Sequence, residues 1–227
     1  MLELAAFLGN PGREYSLSRH NAGFLLAEKL PFYAALSWQK KFKGLYAPME
    51  GERLAAYAFG GLSFDHAPRV HFIKPETYMN RSGESVSAAA AFFKIKSEAA
   101  IVVHDELELP LGTISLKFSG GLGGHNGLRS MKASFGTADF WRIRIGIGRP
   151  DSRLPGEGGR EGSGEGITGW VLSPFDTAET ETLNPVLETG AELLLRAFIE
   201  GPENLLPEWG KKKLEMRSGF SLGQRPG

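Results

Sequence analysis

The chain of 227 residues contains no cysteine. This absence excludes disulfide bonds, cysteine-ligated zinc, iron–sulfur clusters and a thiol nucleophile, so thiol-dependent hydrolases are ruled out. No window approaches the roughly 18 apolar residues of a membrane span, and residues 1–9 lack the basic region that begins a secretion signal. We therefore expect a cytoplasmic protein with no membrane partner.

The sequence also lacks a net charge, but its charges are unevenly distributed. Residues 151–205 hold eleven acidic side chains against three arginines, whereas residues 206–227 hold five basic and two acidic ones. Residues 1–150 are basic overall as well, and phosphate binding needs only a local positive field. A normally solvated surface is the alternative, and charge alone favours it.

Apolar runs and helical spacing alternate along the chain, whose hydrophobic content of 41% is typical of a globular protein. Strands are predicted at 2–8, 70–73, 100–103, 114–118 and 141–147, and helices at 24–30, 82–93, 127–135 and about 178–199. Residues 44–47 and 54–59 are predicted to form a hairpin around 49–52. The alternation predicts an α/β fold, a single domain with a mixed twisted β-sheet flanked by helices on both faces.

The predicted domain covers residues 1–205, with a glycine-rich insert at about 151–166, and a basic, flexible tail follows at 206–227. Residues 156–166 alternate Gly with Glu, Arg and Ser, which predicts a mobile surface loop. The GxGxxG pattern at 164–169 leads into Trp170 rather than a helix, so we interpret it as accidental. The tail carries a lysine run at 211–213 and little apolar periodicity, so we expect it to be frayed.

Four polar clusters follow predicted strands, and the first is LGNPG at residues 8–12, continuing through Tyr15 to RHN at 19–21. Glycines on both sides of Asn10 allow a sharp turn that presents its amide, which can donate and accept at once. A lone histidine at the start of a helix is more often structural than catalytic. His20 alone therefore establishes no function.

The second cluster is KPETYMNRSG at residues 74–83, where Asn80 or Ser82 can either bind a ligand or cap the following helix. The third is HDELELP at 104–110, where the carboxylate of Asp105 can orient an imidazole and stabilise its protonated form. Adjacent His, Asp and Glu can also suggest a metal. Because no HExxH or similar spacing is present, we expect no metal site.

The fourth cluster is GGLGGHNGLRS at residues 120–130, a glycine-dense loop that leads into a helix. Such a loop lets backbone amides approach a carbonyl oxygen or a phosphate, or acts as a lid. It lacks the Gly-Lys-Ser/Thr ending of a P-loop. The loop thus indicates a ligand site without naming the ligand.

Together these motifs resemble those of the bacterial peptidyl-tRNA hydrolase family, which carries GNPG, a Tyr with RHN, KPxTYMNxSG, HDxLDLPxG and GGxGGHNGLRS in this order. The resemblance covers about residues 4–149. Ser18 stands where Thr is common and Glu108 replaces the usual second Asp, and both changes are conservative. The insert and the tail depart from compact family members, so nothing is carried over to them.

The resemblance implies hydrolysis of the ester that joins a peptide to the 3′ ribose of tRNA. The predicted domain, residues 1–205, has no GxSxG nucleophile elbow, and the sequence has no cysteine, so water is the expected nucleophile, with His20 as general base and Asp105 fixing its tautomer. The substrate-binding residues implied by the resemblance are Asn10, Tyr15, Met79, Asn80, His125 and Asn126. No cofactor is expected.

For tRNA, the resemblance implies a phosphate clamp of Lys117 and Arg144, with Arg129 and Lys132 as weaker candidates. Arg142 and Arg144 alternate with apolar residues and should share a strand face. Their alternative role is pairing with surface carboxylates, which we weigh more heavily for Arg142. No obligate protein partner is expected, and the family outline favours a monomer.

Two other functions fit parts of the pattern. One is an RNA-binding protein that keeps the fold without catalysis, and the presence of both His20 and Asp105 argues against it. The other is a hydrolase of small N-acyl amino esters with no RNA partner. Lys117 and Arg144 argue against that alternative.

Overall fold

A computed structural model describes residues 1–57, 68–150, 164–210 and 212–213. Its strands form one sheet in the order β2-β3-β4-β1-β5-β7-β6-β8. They are β1 (Leu4–Phe7), β2 (Gln39–Lys41), β3 (Gly44–Met49), β4 (Val70–Pro75), β5 (Ala100–Glu106), β6 (Thr113–Phe118), β7 (Trp141–Gly146) and β8 (Lys212–Lys213). The central strands β4, β1, β5 and β7 run parallel, and the strands at both edges pair antiparallel. The predicted mixed sheet is confirmed.

Helices cover both faces of this sheet. They are α1 (Ala22–Glu28), α2 (Gly51–Ala55), α3 (Ser82–Phe93), α4 (Asn126–Phe135), α5 (Gly164–Leu172), α6 (Thr177–Glu200) and α7 (Pro202–Trp209). Ala5 and Phe7 of β1 pack in one core with α1 and α6, while Leu4 and Ala6 pack in a second core with α3 and α4. Alternate side chains of a strand point to opposite faces, so a strand buried on both sides is apolar throughout.

The strand order places β1 between β4 and β5. The chain leaves β1 towards one edge, returns through β4, and then crosses to β5 on the other side of β1. In open α/β sheets, ligands bind outside the carboxyl ends of the strands at such a reversal of strand order. The residues that follow β1 and β4 and those that end β5 therefore meet at the expected location of a site.

The predicted hairpin around residues 49–52 is wrong. β3 ends at Met49, and helix α2 begins two residues later, so the residues expected to start the second strand are helical. β3 pairs instead with β2 and β4. A short apolar run does not by itself distinguish a strand from a buried helix, and Leu54 and Ala55 are buried in α2. Residues 58–59 of the predicted strand lie outside the described residues.

Two predictions for the C-terminal third also need correction. Residues 164–169 open helix α5, so the expectation that no helix follows there is wrong, while residues 151–163 of the insert lie outside the described residues. Helix α7 crosses residue 205 and buries Trp209, and β8 pairs with β6, so the predicted fraying is wrong for 206–209 and 212–213. Lys211 and residues 214–227 are not described.

None of the helices in the described ranges is long and apolar enough to cross a membrane.

Candidate active site

His20 lies in a 3-10 helix, Arg19–Asn21, directly before α1. A Cβ atom at Gly23 would lie 2.5 Å from the carbonyl oxygens of Leu8 and Val103, so glycine is needed for α1 to approach β1 and β5 this closely. This approach brings the His20 imidazole to the carboxyl end of β5, where Asp105 lies.

The His20 imidazole contacts Asp105 through one nitrogen. Its Nδ1 lies 2.9 Å from Asp105 Oδ1 and 3.0 Å from Oδ2. Because an ionised carboxylate only accepts hydrogen bonds, Nδ1 carries the proton and Nε2 keeps its lone pair. Nε2 makes no hydrogen bond with any described residue. It is therefore available to a water molecule or a substrate.

A second histidine shares the same carboxylate. His125 Nε2 lies 2.9 Å from Asp105 Oδ1, and the rings of His125 and His20 are 4.9 Å apart. His125 also caps helix α4, because its Nδ1 accepts hydrogen bonds from the amides of Gly127 at 3.0 Å and Leu128 at 3.3 Å. Since Nδ1 accepts, the Nε2–H group donates to Asp105. Asp105 thus orients both imidazoles.

Charge and burial shift the pKa values of this pair in opposite directions. Burial lowers the pKa of His20, but the charge of Asp105 and its hydrogen bond outweigh burial, so the net pKa is raised. Burial would raise the pKa of Asp105, whereas His20 and His125 hold it well below its ordinary value. The carboxylate therefore stays ionised and stabilises a proton on His20.

His104 precedes Asp105 in the chain but has a different role. Its Nδ1 donates to the backbone oxygen of Asp105 at 2.6 Å, and its ring meets the His125 ring edge-on at 4.9 Å. Burial and the neighbouring His125 hold its pKa well below the ordinary value, so His104 is neutral. It supports the site from inside the protein.

The loop after β1 presents Asn10. Its backbone amide donates to Asn21 Oδ1 at 2.8 Å, and Asn21 Nδ2 donates back to the Asn10 carbonyl at 3.0 Å. The Asn10 side chain accepts at Oδ1 from the Met79 amide at 2.8 Å. Its Nδ2 group has no hydrogen-bond partner among the described residues, so it is an oriented donor on a loop held to Asn21, the residue that follows His20.

Met79 joins this loop to the start of α4. It is buried in the 3-10 helix Met79–Arg81, and a Cβ atom on Gly127 would lie 2.5 Å from its Sδ. The structure therefore brings five predicted site residues into one connected group. They are Asn10, His20, Met79, Asp105 and His125.

The other three predicted substrate residues are more exposed than this group. Asn80 and Asn126 are exposed next to Met79 and His125, and Tyr15 is half-buried in the 3-10 helix Arg13–Tyr15. Asn126 Oδ1 accepts from Arg129 at 3.4 Å. None of the three forms a hydrogen bond with His20 or Asp105 in the part of the chain that the structure describes.

The basic candidates divide into two places. Lys117 lies opposite Arg142 in the β6–β7 pairing, and its Cε and Nζ lie against Gly120. Arg144, two residues along the same face, donates to Ser115 Oγ at 2.9 Å and pairs with Glu106 at 3.5 Å. Arg129 and Lys132 are exposed on α4.

Pairing with a carboxylate was expected more for Arg142 than for Arg144, and the structure shows the reverse. Arg142 is buried and donates to the carbonyls of Gly121 at 2.8 Å and Gly120 at 2.9 Å, so it anchors the glycine loop (residues 120–124) rather than a carboxylate. Arg144 is the one that pairs with a carboxylate. Lys117 has no ion-pair partner among the described residues.

His20, Asp105 and His125 place possible metal-ligating atoms within 4.8 Å of one another, the only such group found in the described ranges. Both nitrogens that face Asp105 carry protons donated to that carboxylate. The three groups satisfy one another by hydrogen bonds.

Sequence reasoning missed the supporting residues. Asn21 belongs to the RHN motif but was not singled out, although it holds Asn10. Glu106, which follows Asp105, pairs with Arg144. Their positions inside recognised motifs were the available signal, but no local pattern shows which distant backbone group a side chain will bind.

Comparisons with known proteins agree with this geometry. The family model for peptidyl-tRNA hydrolase matches residues 4–216. A peptidyl-tRNA hydrolase from Treponema pallidum (strain Nichols) is 44% identical over 216 residues, covering 94% of this chain and 96% of that protein.

Solved structures agree as well. A crystal structure of peptidyl-tRNA hydrolase in complex with N-propanol has a TM-score of 0.74 and 31% identity, covering 92% of this chain and 94% of that one. The enzyme from Acinetobacter baumannii has a TM-score of 0.72 and 32% identity, covering 92% and 96%. The chain belongs to the peptidyl-tRNA hydrolase family.

Proposed function

We propose that this chain hydrolyses the ester between tRNA and a peptide or an N-blocked amino acid, which recycles tRNA during translation. One observation carries the proposal. The Nδ1 proton of His20 is given to Asp105, which leaves Nε2 free at the carboxyl ends of the central strands. This is the arrangement of a general base that activates water.

In the proposed reaction, Nε2 of His20 takes a proton from water as the water oxygen attacks the ester carbonyl carbon. Asp105 stabilises the imidazolium that forms, and its low pKa keeps the proton on His20. The imidazolium then returns the proton to the departing 3′ oxygen of the ribose. The products are a free carboxylate and tRNA, and the reaction needs no cofactor or metal.

The asparagines are proposed to bind the substrate without adding charge. The Nδ2 group of Asn10 is oriented by the Met79 amide and can donate to the oxygen that becomes negative during attack. Asn80 and Asn126 would bind peptide amides at the exposed margin, beside His125. Met79 would offer a soft apolar wall, and Tyr15 would stack near the 3′ end.

We propose that tRNA binds on the side of Lys117 and Arg144, with Arg129 and Lys132 as further phosphate contacts. Lys117 has no carboxylate partner within the described part of the chain, so it can bind a phosphate without losing an existing ion pair. Arg144 would have to share its contact with Glu106. Phosphate contacts position the substrate without reading sequence, which suits an enzyme acting on many tRNAs. We further propose a cytoplasmic monomer.

The proposal is tested by comparing two substrates. Wild-type protein should release the N-blocked aminoacyl group from tRNA, and a small N-acyl amino acid ethyl ester should be cleaved far more slowly. Equal cleavage of both would favour a small-ester hydrolase. Binding of the tRNA without cleavage would favour a non-catalytic RNA-binding protein.

The tRNA side is tested with Lys117→Ala. The slope of log affinity against log salt should fall by about 1, because one phosphate contact is lost. Lys40→Ala is the matched control, since Lys40 is exposed on β2, at the far edge of the sheet from β6. Identical salt slopes for the two variants would exclude Lys117 from the tRNA surface.

A further inference from the structure

A buried arginine adjoins the proposed general base. Arg19 is 4% exposed, and its Nη2 lies 2.7 and 2.5 Å from the two carboxylate oxygens of Glu179. Its Nη1 lies 2.7 Å from Ser173 Oγ and 2.5 Å from the Pro174 carbonyl oxygen. The guanidinium group therefore binds the connection between α5 and α6 and the first turn of α6.

Aromatic rings complete the arginine site. The guanidinium carbon lies 3.7 Å from the ring centre of Trp170 and 5.1 Å from that of Phe175. Trp170 Nε1 donates in turn to the Gly148 carbonyl at 2.9 Å, after the end of β7. The backbone of Arg19 contacts the same α5–α6 connection, because its amide donates to the Ser173 carbonyl at 3.0 Å.

The turn that carries His20 has little internal support. A three-residue 3-10 helix contains few hydrogen bonds of its own, so its orientation depends on neighbouring anchors. The Asn21 side chain anchors one end to the Asn10 backbone. Arg19 anchors the other end to α5 and α6. His20 lies between these anchors and faces Asp105.

Helix α6 does not need this arginine to begin. Asp176 Oδ1 accepts from the Glu179 amide at 2.8 Å, and Glu179 Oε2 accepts from the Asp176 amide at 2.9 Å. This capping box satisfies the helix start by itself. The contacts of Arg19 are thus additional to those that hold α6, and their shared consequence is the placement of the turn before α1.

We propose that Arg19 is a positioning residue, which holds the His20 imidazole against Asp105 by fixing the 3-10 turn to the α5–α6 junction. The inference rests on the proposed function of His20. A displacement of about 1 Å at a reacting group can cost about 10²-fold in rate. Loss of the anchor should therefore lower kcat and leave tRNA binding unchanged.

The test measures kcat, KM and the pKa of His20 in Arg19→Gln, Arg19→Lys and wild type. Arg19→Gln should lower kcat by about 10 to 10²-fold with KM within about twofold. Arg19→Lys should recover part of kcat, because it keeps the charge but not the forked geometry. In Arg19→Gln the pKa of His20, measured by NMR titration, should fall towards its ordinary value as the imidazole leaves Asp105. His125 is the other titratable group that faces His20.

Tyr46→Phe is the control for destabilisation alone, since it removes a buried hydrogen bond to His71 in another part of the sheet. Its kcat and His20 pKa should match wild type when both proteins are folded. Glu179→Gln provides a milder change at the same site and should give a smaller kcat loss in the same direction.

Wild-type kcat and an unshifted His20 pKa in folded Arg19→Gln would overturn the inference and leave the proposed function intact. Equal effects in Tyr46→Phe and Arg19→Gln would also overturn it. Failure of wild type to cleave the tRNA ester would instead reject the proposed function.

Discussion

Replacing Asp105 by asparagine tests how one carboxylate serves two histidines. Asp105 Oδ1 lies 2.9 Å from both His20 Nδ1 and His125 Nε2, and Oδ2 lies 3.0 Å from the same His20 nitrogen. An asparagine can keep its oxygen at the first position, but its Nδ2 group then faces the His20 Nδ1–H group. The opposite orientation places donors against both imidazoles. In either case His20 meets a donor.

The substitution of Asp105 changes which nitrogen of His20 carries the proton. Moving the proton from Nδ1 to Nε2 removes the clash of donors, and Nε2 is the atom proposed to take a proton from water, so we expect this tautomer to be favoured. The variant also loses the charge that stabilises the imidazolium. We expect kcat to fall by about 10² to 10⁴, the range typical of losing a positioned general base. The pH below which kcat declines should also move lower, because Asp105 raises the pKa of His20.

The assay is release of an N-blocked aminoacyl group from tRNA across pH 5 to 9. Glu108→Gln is the matched control, because it neutralises an exposed carboxylate in the same motif, where Glu108 pairs with Arg149. It should retain wild-type kcat. Urea unfolding curves show whether Asp105→Asn is folded. The reasoning is refuted if the folded variant keeps kcat within about tenfold of wild type.

Three further predictions follow from other contacts. Asn10→Asp keeps the acceptor for the Met79 amide but removes the Nδ2 donor, so kcat/KM should fall about 10²-fold with little change in urea unfolding, and an unchanged kcat/KM would exclude that donor from the reaction. Burial and the Arg69 charge lower the pKa of His71 to about 4. The free energy of unfolding should therefore fall as pH falls from 6.5 towards 4, by up to about 1.4 kcal/mol per pH unit. His71→Phe should remove this pH dependence, and an identical pH dependence in the variant would contradict the argument. Arg142→Met should increase hydrogen exchange in the glycine loop while Arg144→Met does not, and equal exchange in both variants would show that Arg142 is no anchor.

The sequence predicted the elements that have a strong period or a strong boundary. Helix α3 was predicted with the bounds 82–93 that the structure gives, because its apolar spacing is helical over the whole segment. Strands β1, β4 and β5 were also found, since each is an apolar run ended by polar motif residues, and β7 was found from its alternation. The structure of the segment after Met49 was not predicted correctly, because a single helical turn and a short strand can have the same apolar content.

The candidate site was predicted unevenly for a related reason. Motifs identified His20, Asp105 and Asn10, but their mutual contacts depend on β1 lying between β4 and β5. The hydrogen-bond and ion-pair partners of Arg142 and Arg144 were not predicted, because an alternating strand shows which face a side chain is on and not what covers that face. Such long-range partners are fixed by packing alone.

The central claim is that His20 activates water and does not serve tRNA binding. The most direct measurement is single-turnover hydrolysis of N-blocked aminoacyl-tRNA by His20→Ala, together with its Kd for the same tRNA. We predict a rate lower by about 10² to 10⁴ and a Kd within about twofold of wild type. A rate near that of wild type, or a loss explained wholly by weaker tRNA binding, would contradict the account.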